Sequence, residues 1–306
     1  AAELIDRPLD QVGLEPSPAT PDPLRAEIAA AMARIDLLRE LGRKDAVALE
    51  VERLKTHFEG RDGALYAIAE ALNARGMTMA GIRLGWDIRQ AEGAWNRRLL
   101  RIIYPFPYRD IILAEAPEKG LDPFLVAGLI RQESMFDAAI ASPVGAQGLM
   151  QIMPATGASL ARSAGISGFS TGMLTRPEIN IHLGTTYFAE MLGRFDGRVG
   201  PAHAGYNAGP HRVQRWSRFP EYADEELFLE RIPYPDGAEG SDEGLRETVV
   251  DGVGDDETLG GNAGLTRILH ARLRSDLRSK IKIRILQHDE LSGARGSATK
   301  QSRVIV

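Results

Sequence analysis

Arg131-Gln-Glu-Ser-Met-Phe-Asp-Ala-Ala-Ile-Ala-Ser-Pro-Val-Gly-Ala-Gln-Gly-Leu-Met-Gln-Ile-Met-Pro-Ala-Thr156 is the stretch whose reading decides the fold. Just upstream, Asp122-Pro123 has the Ncap–N1 form of a helix start. Phe124, Leu125, Leu129 and Ile130 then give that helix a buried stripe about three turns long. Glu133 falls in the last turn, at the negative end of the macrodipole. Its expected neighbours are Leu129, Met135, Phe136, Met150, Ile152 and Met153. Desolvation and the dipole both favour the neutral acid there, and a raised carboxyl pKa is what a general acid needs at neutral pH. A glutamate at a helix end is ordinarily a solvated one; these surroundings favour the acid. Ser142-Pro143-Val144-Gly145-Ala146-Gln147-Gly148 reads as a turn whose glycines let backbone approach a ligand, and Pro154 opens a second helix.

Working outward, apolar residues recur at helical spacing almost everywhere. Leu24, Ile28, Met32, Ile35, Leu38 and Leu41 make one helix, closed by Gly42. Val47, Val51, Leu54 and Phe58 make the next, and Ala64 to Gly76 a third. Met79, Ile82 and Trp86, then Trp95, Leu99 and Ile102, predict two more. Such hairpins cannot bury their faces alone, so residues 24–103 read as a short α-solenoid-like region. Tyr104-Pro105-Phe106-Pro107-Tyr108 is a boundary, because two prolines two apart stop a helix. Helices are then expected over about 108–119, 154–164 and 179–195, and again around Tyr206. Strand patterns are nearly absent, so the fold class is all-α. Residues 1–23, with five prolines, read as an extended linker. Residues 235–306 lack any aromatic, and Asp236 to Glu257 holds nine carboxylates against one arginine, so this tail has a disorder-like composition.

A chain of 306 residues can bury a sizeable core. Its net charge of −5 argues against a nucleic-acid partner, and so do the 11 basic and 14 acidic residues of 104–234. Cysteine is absent, which excludes disulfides, thiolate metal sites and a cysteine nucleophile. No run approaches the roughly 20 apolar residues of a membrane span. His182, His203 and His211 lack clustered ligand spacing, so no metal and no cofactor are expected.

Two further boxes follow the central one: Ala204-Gly205-Tyr206-Asn207-Ala208-Gly209-Pro210, then Leu229-Glu230-Arg231-Ile232-Pro233. With the Glu133-Ser134 pair and the Gly148-Leu149-Met150-Gln151-Ile152-Met153-Pro154 run, they occur in the order seen in the soluble lytic murein transglycosylases, which residues 104–234 resemble. The resemblance implies a lysozyme-like catalytic domain over 104–234, preceded by a superhelix-like helical region. It implies cleavage of the MurNAc-GlcNAc β-1,4 bond of peptidoglycan, with formation of 1,6-anhydroMurNAc. The partner would be peptidoglycan glycan strands, and the location periplasmic. A lysozyme-type hydrolase and a non-catalytic glycan-binding scaffold are the alternatives.

Most glycoside hydrolases pair two carboxyls. Between Ala138 and Pro177 there is no Asp or Glu, and Asp137 reads as a cap or a solvated side chain. A single-carboxylate route fits better. In the resembled family the glutamate, here Glu133, protonates the glycosidic oxygen and then acts as base, with the substrate's acetamido group in place of an enzyme nucleophile. By the same resemblance Ser142, Gln151 and Met153 are groove contacts, Tyr206 and Asn207 position the sugar, and Glu230 is a supporting or subsite residue. Each also has a structural reading: core packing for Met150 and Met153, a buried satisfied hydroxyl for Tyr206, an ion pair for Glu230. Gly205 stands where the family more often has alanine, which bears on helix stiffness rather than on chemistry.

Overall fold

The computed structural model describes residues 15–61 and 63–232. The expected tail 235–306 and the first part of the expected linker lie outside the described residues. Among the described residues the chain is helical, with isolated bridges and no strand. They fall into two compact units. One holds residues 15–61, 63–71 and 81–105, the other 72–80 and 106–232.

In the first unit, α1 (Asp22–Glu40) packs on α2 (Lys44–Phe58). Leu24, Ile28, Met32 and Ile35 on α1, and Val47, Val51, Leu54 and Phe58 on α2, are all buried. The i, i+4, i+7 spacing places these groups on one stripe per helix. Leu41 and Trp86, expected on buried stripes, are 64% and 42% exposed. Leu41 follows the last turn of α1, and Trp86 lies edge-to-face against Trp95 at 5.8 Å. Most of α3 (Ala64–Ala74) and α4 (Thr78–Glu92), and all of α5 (Arg97–Ile103), complete this unit. The described end of the expected linker is tied down. Glu15 donates its N–H to the Trp95 carbonyl (2.9 Å), and Arg98 reaches the Pro18 carbonyl (2.7 Å) while pairing with Glu70 (2.6 Å).

The second unit is built on α9 (Pro177–Arg194), which packs against α6 (Arg109–Glu118), α8 (Pro154–Ser163) and α10 (Val199–Ala208). Ile181, Leu183 and Phe188 on α9 have no exposed surface. Side chains of that size each contribute about 1.5–3 kcal/mol when fully buried. Two shorter helices, α11 (Pro210–Trp216) and α12 (Glu225–Arg231), follow. Two acidic residues at the start of α12 have a structural use. Asp224 caps α12 by accepting the Leu227 N–H (2.9 Å), and Glu225 accepts the Gly200 N–H in the first turn of α10.

Gly205 has a packing reason. A Cβ there would lie 2.6 Å from Cε2 of Phe195, a ring only 4% exposed. Alanine would gain about 1 kcal/mol of helix propensity, but overpacking a closed site costs about 1–3 kcal/mol. Gly205→Ala is therefore expected to lower the melting temperature by a few degrees, as measured by circular dichroism. A raised melting temperature would show that the Phe195 ring yields freely.

Candidate active site

The site is assembled from the end of α7 (Pro123–Ser134), the loop that follows it, and one turn each of α9 and α10. Asp122 caps α7 by accepting the Phe124 N–H at 2.8 Å, with Pro123 at the first helical position. Leu125 to Arg131 are buried without a break, which fixes α7 in the core and sets Glu133, half-buried, at its last turn. The helix stops because Met135 and Phe136 both adopt positive φ, 48° and 65°. Left-handed backbone costs a non-glycine residue about 1–2 kcal/mol. Two in succession directly after Glu133-Ser134 mark a segment held in place by its surroundings.

Ser134 supplies much of that hold. Its hydroxyl, 2% exposed, accepts the Phe136 N–H (3.1 Å) and directs its proton at the carbonyls of Leu149 (2.8 Å) and Ile130 (3.0 Å). The loop is a double turn. Ser142 N–H meets the Ala146 carbonyl (2.9 Å), and Gln147 and Ile152 exchange both backbone hydrogen bonds at 3.0 Å. At Gly148 φ is +77°, and a Cβ would fall 2.1 Å from the Leu174 carbonyl oxygen and 2.4 Å from the Asn180 amide nitrogen. Only glycine satisfies both conditions.

Tyr206, on α10, closes the site. Its hydroxyl donates to the Met150 carbonyl at 2.6 Å. Its ring is wedged between Tyr187 (5.1 Å between centroids) and Phe188 (5.9 Å). Burial first, then the charge of Glu133, then Tyr187, push the phenol well above its usual pKa, so it stays protonated and can donate. The same effect puts the Glu133 carboxyl within electrostatic reach of Tyr206, although the two lie 73 positions apart in sequence.

The other expected contacts divide. Met153, at the N-cap of α8, is 42% exposed, whereas Met150 is fully buried. The Gln151 amide turns into its own loop, donating to the carbonyls of Gly148 (2.9 Å) and Ile140 (3.4 Å). The Ser142 hydroxyl accepts the Ala146 N–H (2.9 Å), and the Asn207 amide donates back to the His203 carbonyl (3.2 Å). Glu230 lies on α12, and its side chain is outside the described residues. Asp137 is exposed and accepts the Ala139 N–H at 2.9 Å, a local turn bond. Among the described residues no group of three or more histidines and carboxylates is arranged to hold a metal.

Asn180 is a member of this centre that the sequence reading missed. It has no exposed surface, and its carboxamide meets three backbone groups: the Met150 N–H (2.7 Å) and the carbonyls of Gln147 (2.9 Å) and Leu174 (2.8 Å). The available signal was an amide lying on the same face of α9 as Gly184, Tyr187 and Met191, at i, i+4, i+7 and i+11.

Residues 110–228 match the family model described as the transglycosylase SLT domain. The soluble lytic murein transglycosylase of Escherichia coli K12 is 36% identical over 133 residues, which are 43% of this chain and 21% of that protein. Among solved structures, an inactive glutamate-to-glutamine mutant of the lytic transglycosylase Slt from Pseudomonas aeruginosa superposes with a TM-score of 0.59 at 29% identity, covering 81% of this chain and 38% of that one. The 70 kDa soluble lytic transglycosylase of Escherichia coli does so with a TM-score of 0.58 at 22% identity, covering 89% and 40%, a likeness of fold. The chain thus spans about a fifth of the curated relative's length and about two fifths of each solved chain. By the domain match and these likenesses, residues 110–228 are similar to the transglycosylase SLT domain.

Proposed function

We propose that the chain is a peptidoglycan lytic transglycosylase: it cleaves the β-1,4 bond between MurNAc and GlcNAc and leaves a 1,6-anhydroMurNAc end. The observation that carries this reading is Glu133, set at the strained end of α7 with its charge bearing on the protonated Tyr206 phenol, inside a matched SLT domain. Glu133 donates a proton to the glycosidic oxygen as the bond to the anomeric carbon breaks. The acetamido oxygen of MurNAc stabilises the developing cation. Glu133, now a carboxylate, takes the proton of the MurNAc C6 hydroxyl as that oxygen closes the 1,6-anhydro ring, which restores the acid and consumes no water. The inactive glutamate-to-glutamine form of the Pseudomonas relative is consistent with this role for a single glutamate.

Residues 104–234 would form the catalytic domain and 24–103 a short superhelix-like region. A substrate outside the cytoplasm implies a periplasmic protein, and among the described residues no helix is long and apolar enough to cross a membrane. Within the groove, Ser142, Gln151 and Met153 are assigned to the glycan strand. Ser142 and Gln151 would act largely by shaping the loop, and Met153 by direct apolar contact. Tyr206 and Asn207 support the sugar at the cleavage point, and Glu230 supports from α12.

Incubation with purified sacculi tests the activity. Release of soluble muropeptides is expected, and none at all would overturn the reading. Tyr206→Phe sharpens it: the ring packing is kept and one hydroxyl is lost, so the rate should fall by about tenfold or more while stability falls by about 1 kcal/mol. An unchanged rate with a large drop in melting temperature would make Tyr206 a structural residue.

A further inference from the structure

We propose that Asn180 is a positioning residue for the Glu133–Tyr206 centre, acting through a single peptide unit, Leu149–Met150; the proposal rests on the catalytic reading given above. The two ends of that unit are held from opposite sides. Its carbonyl, on Leu149, takes the hydroxyl proton of Ser134, the residue next to Glu133. Its N–H, on Met150, is held by Asn180 Oδ1 at 2.7 Å. The following carbonyl, that of Met150, is where the Tyr206 hydroxyl is anchored at 2.6 Å. One short backbone run therefore fixes both Ser134, the neighbour of the acid, and the Tyr206 phenol, and Asn180 sets where the run lies.

The chemistry of the carboxamide explains why the residue is asparagine. The site presents one N–H and two carbonyls, of Gln147 and Leu174, to a side chain with no access to water. One acceptor and two donors on a planar group answer all three. An aspartate of nearly equal shape would keep the acceptor but turn a negative charge on the two carbonyls. An apolar side chain would leave all three groups without that partner. Asn180 itself sits near the start of α9, whose next turns are buried, so its own position is rigid. A rigid element gripping a loop by three points is a means of holding reacting groups in register, where a displacement of about 1 Å can cost about a hundredfold in rate.

The test is a double-mutant comparison on the full chain, with initial release of soluble muropeptides from purified sacculi as the rate. Wild type, Asn180→Asp, Tyr206→Phe and the double variant are compared, with circular dichroism melts on each. Asn180→Asp is expected to be folded and about a hundredfold slower. In the Tyr206→Phe background the same change is expected to cost only about tenfold, because one of its two routes to the centre, the one through the phenol, has already been cut. Losses that multiply, or a normal rate with only a lowered melting temperature, would reduce Asn180 to a packing residue and overturn the proposal. If Asn180→Asp does not fold, the neutral Asn180→Ser carries the same comparison, and failure of both to fold would overturn it too. An inactive wild type would instead overturn the catalytic reading, and this proposal with it.

Discussion

Glu133→Gln is expected to slow the release of muropeptides from sacculi by at least about 10²–10⁴-fold, the usual worth of a positioned general acid and base. The amide is nearly isosteric with the acid, so the end of α7 should keep its shape. The strained Met135–Phe136 backbone is held by the Ser134 hydroxyl, which accepts the Phe136 N–H. The melting curve should therefore overlay that of the wild type while the rate collapses. The glutamine can donate a hydrogen bond but cannot surrender a proton to the glycosidic oxygen or retrieve one from the C6 hydroxyl. A variant that retains half the wild-type rate would remove Glu133 from the reaction.

Gly148→Ala is expected to have the largest effect on the fold of the second unit. The added methyl meets a backbone oxygen at 2.1 Å and the Asn180 amide at 2.4 Å, and the residue would have to keep φ at +77°. Left-handed strain costs about 1–2 kcal/mol, and each buried group that loses its partner about 1–3 kcal/mol. Displacing Asn180 breaks at least one such pair, so a loss of about 2–5 kcal/mol follows. For a unit of this size that lowers the melting temperature by about 10 °C. A change within about 2 °C would show that the loop can move away from α9 and that the grip of Asn180 is loose.

The helical architecture was legible because each helix carries its own punctuation. Asp122-Pro123 starts α7, and Gly120 at φ +67° ends the turn after α6, with Leu121 N–H reaching back to the Ala116 carbonyl at 2.9 Å. Periodicity located the stripes of α1 and α2 but could not tell which end of a stripe is covered, so Leu41 and Trp86 were expected inside and are exposed. Glu133 and Tyr206 were legible as members of motifs. Their mutual approach was not, since it depends on α9 and α10 packing against the loop.

Hydrogen bonding inside the loop was the least legible part. Gln151 and Ser142 were read as groove contacts from their place in the motif, and their polar groups turn to backbone only 3–11 positions away. Polar residues in a glycine-rich turn compete for the turn's own unpaired groups, and no sequence pattern distinguishes that use from ligand binding. Asn180 escaped notice for the opposite reason. A single amide in an apolar stripe looks like a tolerated exception until the three backbone groups it satisfies are seen together.

The central claim is that a single carboxyl, Glu133, drives an intramolecular closure in place of hydrolysis, and the mass of the product tests it most directly. Muropeptides released from purified sacculi are measured by mass spectrometry before and after borohydride treatment. Held close by its own ring, the C6 hydroxyl should outcompete bulk water. The product should then be one water lighter than the hydrolysed muropeptide and unchanged by borohydride, because it has no reducing end. Products that carry the extra water and gain the mass of reduction would contradict the account and return the search for a second carboxyl to Asp137 and Glu230.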